Sequence, residues 1–208
     1  MIIQSQAGSL PSARQTAGNP NNPAGILGEA LVSEVNGRYA NLAVNGKLMM
    51  ATAFITSGVI YSTAAATGGP LLCNLTANLS AHLLAVTIGG ITTANTVVTS
   101  IGITGNTGQA AAPGSPTAID ASGNALIGGG APQMNVYRLG TVTNAGNRFL
   151  PLAPYSTQAV TVPQGGATWI DLGGAIIVPP GSWASVSFAN TATTGVIQLG
   201  LLWAELGA

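Results

Sequence analysis

Charge is what this sequence has least of. Asp, Glu, Lys and Arg make up 5% of its 208 residues and the formal net charge is zero, whereas an ordinary soluble domain is roughly 25% charged. The basic residues are Arg14, Arg38, Lys47, Arg138 and Arg148, scattered along the chain. Nucleic-acid binders draw much of their affinity from clustered Lys and Arg neutralising phosphates, so no nucleic-acid partner is expected. One cysteine, Cys73, excludes an intrachain disulfide, and with His82 as the only histidine a structural zinc site cannot be assembled. The carboxylates are equally sparse: Glu29, Glu34, Asp120, Asp171 and Glu205. No pair of them sits in a motif that would make an acid and a base of the two.

Other signatures are missing as well. The start, Met1-Ile2-Ile3-Gln4-Ser5-Gln6, has neither a basic stretch nor an apolar core, so no secretory leader is expected. The best candidate for a membrane span, Leu48 to Ala66, carries five Ser or Thr residues and a Gly, and paired strands explain it better than a spanning helix. No membrane partner is expected. Gly102 to Gly108 is glycine-rich, but its spacing is wrong for a dinucleotide turn and no Gly-Lys-Ser/Thr phosphate loop occurs. No cofactor and no enzymatic activity are expected. A triad built on His82 could draw only on Asp120 or Asp171, and neither has a recognisable motif around it.

In place of charge the chain has 29 Gly, 12 Pro and an apolar fraction of 47%. That apolar content is too high for a disordered chain, and 208 residues can bury a sizeable core. A surface so poor in charge is a solubility risk for a free monomer, which points to an oligomer whose faces are covered.

Residues 1–35 differ from the rest. Asn19-Pro20-Asn21-Asn22-Pro23 and the lack of any sustained period exclude regular helix over most of this stretch, which reads as an extended arm. From residue 36 to 208 the chain reads as one β domain of short strands divided by turn clusters. Arg38 to Val44 alternates and meets Asn45-Gly46, a hairpin signal, with the next strand from Lys47. Strands are expected at Val59-Ile60-Tyr61, Leu71-Leu72-Cys73, His82 to Ile88, Thr96 to Ile103, Gln133 to Val142, Phe149 to Leu152, Gln158 to Val162, Thr168 to Leu172 and Ala175 to Val178. Pro179-Pro180-Gly181 turns the chain into Ser182 to Phe188, which alternates with period two, and the last strand is Gly195 to Leu206. Residues 105–132, rich in Gly, Ala, Pro and Ser, read as a long loop with a short strand near Ala125-Leu126-Ile127. No stretch shows helical periodicity. The fold class is therefore all-β: an antiparallel sandwich, with a jelly roll as the first choice, preceded by an extended arm.

Trp169 with Asp171, and Trp203 with Glu205, stand two apart and would share a strand face. Such pairs can stack on sugars, but core or interface tryptophan is the plainer reading. Cys73, in an apolar run, reads as a buried small hydrophobe.

Four features carry a resemblance: the Pro/Asn-rich leading segment, Gly37-Arg38-Tyr39 opening the β region, Ile176-Ile177-Val178-Pro179-Pro180-Gly181 before a Trp-containing strand, and the closing Leu201-Leu202-Trp203-Ala204-Glu205-Leu206. In these the chain resembles the small jelly-roll cement or decoration proteins of tailed bacteriophage capsids. The resemblance implies a non-enzymatic virion protein on the capsid surface, a homotrimer that binds the major capsid protein and stabilises the assembled head. It further implies that the arm, through residues such as Arg14, Asn19, Pro20 and Pro23, contacts the shell, and that His82, Trp203 and Glu205 lie at contacts between subunits. The alternatives are a receptor-binding or fibre-tip module, with recognition in loop 105–132, and the coat protein of a small virus.

Overall fold

A computed structural model describes residues 39–55, 69–91, 98–146, 148–153, 168–190 and 196–208. The strands expected at Val59-Ile60-Tyr61 and Gln158 to Val162 and the arm at 1–35 lie outside the described residues. The chain divides into units Met1–Asn41 and Leu42–Ala208; the second carries the β structure.

Apart from one short helix, the regular structure of the described residues is all strand: β1 Leu48–Ile55, β2 Leu71–Asn74, β3 Leu79–Ile91, β4 Val98–Thr107, β5 Gly114–Ala118, β6 Ala121–Asn124, β7 Asn135–Thr141, β8 Arg148–Ala153, β9 Thr168–Val178, β10 Ser182–Asn190 and β11 Ile197–Gly207. They form two sheets packed as an antiparallel sandwich, one ordered β6-β1-β11-β3-β9 and the other β5-β7-β2-β10-β4-β8.

Eight of these strands obey one pairing rule. With β5, β6 and β7 set aside, the first strand pairs with the last (β1 with β11), the second with the second last (β2 with β10), then β3 with β9 and β4 with β8. A long hairpin rolled up on itself gives this nesting. The three remaining strands extend the sheets at one side: β5 and β7 beside β2, and β6 beside β1.

Period-two alternation builds the core. Met49, Ala51, Ala53 and Ile55 of β1 face inward with Leu199, Leu201 and Trp203 of β11, Leu83, Val86 and Ile88 of β3, and Ala184 and Val186 of β10. A second apolar cluster, Leu71, Cys73, Val142 and Trp183, lies on the opposite face of the second sheet. The β7–β8 connection passes over it, close enough that a Cβ on Gly146 would stand 3.2 Å from the Trp183 ring. Cys73 is fully buried, and desolvation pushes its thiol from the ordinary 9.0 up to about 12.

Two expectations are corrected. Ala40–Val44 is a short helix, not a strand. Asn45-Gly46 caps its end: Gly46 has φ 64°, its N–H donates to the Ala43 carbonyl at 2.9 Å, and the Lys47 N–H donates to Leu42 at 2.8 Å. That double bond pattern is a Schellman cap, which wants the same left-handed glycine as a hairpin turn. Residues 105–132 are not one long loop: they contain the end of β4, all of β5 and all of β6, and Ala125-Leu126-Ile127 is a turn after β6, not a strand. Small polar residues conceal these strands because β5 and β6 bury little.

Candidate functional surface

The inward set on each strand fixes what faces out. On the sheet containing β1, the outward residues are Met50, Thr52 and Phe54 of β1, Gln198, Gly200, Leu202 and Ala204 of β11, His82, Ala85 and Thr87 of β3, and Trp169, Asp171 and Ile177 of β9. Of these, Met50 is 45% exposed, Phe54 46%, Trp169 55% and Ile177 51%. Small residues at the centre keep the face flat. Asp171 and His82 are its only ionisable groups among the described residues, and the Asp171 carboxylate accepts a hydrogen bond from the Gly173 N–H at 2.9 Å. That bond closes an insertion in β9, where Gly173 (φ 59°) and Gly174 (φ 80°) take up the extra residues between the Leu83–Ile176 and Ala85–Asp171 pairs.

Beside β1 the turn after β6 adds a further apolar contact point. Leu126 is 41% exposed and Ile127 99%. The turn is built to hold them there: the Asn124 amide donates to Gly46 O at 3.0 Å, its carbonyl accepts from Leu126 N at 2.9 Å, and Gly129 N donates to Leu126 O at 2.8 Å.

Trp203 and Glu205 do share a face, as their spacing implies, but it is the inner one. Trp203 is fully buried and Glu205 is 1% exposed, so neither side chain is available to another subunit, contrary to expectation. Glu205 instead receives hydrogen bonds from Gln133 N at 3.0 Å, Met134 N at 3.1 Å and Trp203 Nε1 at 3.3 Å. A carboxylate accepts without donating, which matches a site where only donors converge. It ties β11 in one sheet to the entry of β7 in the other. Asp120, at the corner between β5 and β6, makes a second tie: it accepts from Phe54 N at 2.7 Å and pairs with Arg138 at 3.4 Å.

Of the other residues expected at contacts, His82 is half-buried on the outer face opposite Ala204 and Ile177. Arg14, Asn19, Pro20 and Pro23 lie outside the described residues. Trp169 and Asp171 share the exposed face of β9, as expected. Asn74-Leu75-Thr76 matches the N-glycosylation acceptor pattern, but Asn74 is fully buried with its amide donating to Leu79 O and Val178 O, so it cannot receive a glycan in this fold. Among the described residues no group of three or more His, Cys, Asp or Glu is placed to hold a metal ion, and no helix is long and apolar enough to cross a membrane. Sequence reasoning missed Met50, Phe54 and Ile127. A signal existed for two of them: Leu48 to Ile55 is apolar at both parities, where a half-solvated strand alternates.

Compared with protein-family models, curated proteins and solved structures, the chain matches none.

Proposed function

We propose that this chain is a non-enzymatic structural protein of a virus particle, a decoration protein that docks as an oligomer on an assembled shell. The observation that carries the reading is the flat outer face of the β1 sheet, where Met50, Phe54, Trp169 and Ile177 stand exposed with almost no charge around them. Soluble monomers rarely leave such a patch uncovered. Four strands about 4.8 Å apart and about eight residues long cover on the order of 500 Å² in plan. With the Leu126-Ile127 turn, this approaches the roughly 800 Å² per partner of a standard interface. The nested pairing of eight strands supports a jelly-roll reading of the sandwich, an architecture recurrent in capsid proteins. Binding only the assembled shell would stabilise it by mass action.

The partners in this reading are other copies of the chain, as a homotrimer, and the major capsid protein. The arm at 1–35 would add a second contact with the shell. The receptor-binding alternative loses part of its support, because the end of β4 and all of β5 and β6 lie within 105–132, which is therefore not one free recognition loop.

Co-sedimentation tests the proposal. Particles assembled without this chain are mixed with the purified protein, with Ile127→Asp and with Trp169→Asp. The proposal expects the parent to pellet at a fixed ratio to the capsid protein, and both variants to stay in the supernatant while remaining folded. A parent that does not pellet overturns it.

A further inference from the structure

The rolled sandwich is closed on one side and open on the other. At the closed side the β5–β6 corner crosses between the sheets, held by Asp120. At the other side β9 and β8 each end their sheet, and between β9 and β4 the core is not filled. A cleft of about 490 Å³ remains there.

Its walls are continuous with the hydrophobic core. Ile176 and Val178 come from one sheet, and Ile103 and Ala184 from the other. Leu150 of β8 pairs with Ile103, shares its face and stands 45% exposed at the mouth. None of the described lining residues carries an ionisable side chain. Ser182, paired with Thr107 of β4, contributes a polar group that alternation places on the same inner face as Ala184. It is 4% exposed, and its hydroxyl has no hydrogen-bond partner. A buried hydroxyl without a partner costs free energy comparable to a lost hydrogen bond, so a ligand that supplied one would gain from it.

We propose that this cleft binds an uncharged aliphatic molecule: a hydrocarbon chain between Ile103, Leu150, Ile176 and Val178, with a neutral hydroxyl, ester or amide head at Ser182. The volume falls within the roughly 300–1,000 Å³ of small-molecule sites, which are mainly apolar with a few placed polar groups. An ionised head is disfavoured because no described lining residue could pair with it. The small side chain of Ala184 leaves the space open.

The test uses the purified full chain, Nile red as a neutral apolar probe and 1-decanol as competitor. The parent is expected to bind the dye saturably, with decanol displacing it. Leu150→Asp puts a charge at the mouth from an exposed position, and Ala184→Leu fills the cleft from within. Each is expected to weaken dye binding at least about tenfold, while far-UV circular dichroism and melting stay close to the parent's for Leu150→Asp. Absence of saturable binding by the parent overturns the proposal, as does parental affinity in both variants. Dye release that tracks self-association in light scattering would mean that a second copy covers the cleft, which also overturns it.

Discussion

Replacing Glu205 by Ala removes the acceptor that three buried donors share. Gln133 N, Met134 N and Trp203 Nε1 each lie within 3.3 Å of its carboxylate, and the side chain is 1% exposed, so water has little access to replace it. An orphaned buried donor costs about 1–3 kcal/mol, and relaxation of the neighbouring chain recovers part of this. The expected loss is therefore about 3–5 kcal/mol, a large share of the roughly 5–15 kcal/mol available to a domain. For a chain of this size that corresponds to a fall in melting temperature on the order of 10 °C. Glu205→Gln keeps one acceptor but turns an N–H toward other donors, so it should fall between Ala and the parent. Urea titration followed by tryptophan fluorescence reads the effect, because Trp203 is itself one of the donors. A Glu205→Ala variant within 1 kcal/mol of the parent would refute the idea that this carboxylate ties the two sheets.

Other expectations are narrower. Cys73 should be silent to Ellman's reagent at pH 8 in the native protein and react on unfolding, because burial raises its pKa to about 12. The folded state holds the thiol proton more tightly than the unfolded state does, so this contribution is complete below about 9 and is lost as pH rises toward about 12. Stability measured across that window should fall, and should fall less in Cys73→Ala. Asp120→Ala should cost about 1 kcal/mol by thermal melting, because the Arg138 pair is partly solvated while the backbone donor Phe54 N at this exposed corner can turn to water. Light scattering of the purified chain should give a mass of three chains. A parent that is already one chain at every concentration would remove the trimer from the account.

The fold class was legible because alternation is local. Ser182 to Phe188 and the Pro179-Pro180-Gly181 turn needed no tertiary information, and β10 begins where they place it. Thr168 to Leu172 and Ala175 to Val178 were read as separate strands and are one, interrupted by the Gly173-Gly174 insertion. The nesting of β1 with β11 and β2 with β10 joins residues far apart in sequence, so no local pattern could reveal it. The candidate surface was less legible. Trp203 and Glu205 were placed correctly on one face, but β11 is apolar at both parities through Leu201-Leu202-Trp203, so the pattern could not say which face was inside. A bulge opposite Leu202 and Trp203 shifts the register there as well. In the helix at Ala40–Val44, Asn45-Gly46 misled because a helix cap and a hairpin turn ask for the same backbone conformation at glycine.

The central claim is that the uncharged face docks this chain on a virus shell. Electron microscopy of intact particles purified from cells that produce this chain, labelled with gold-conjugated antibody raised against the purified protein, tests it most directly. The account expects label over the head surface in a regular array. Label confined to the tail tip, or none on any particle, would contradict it.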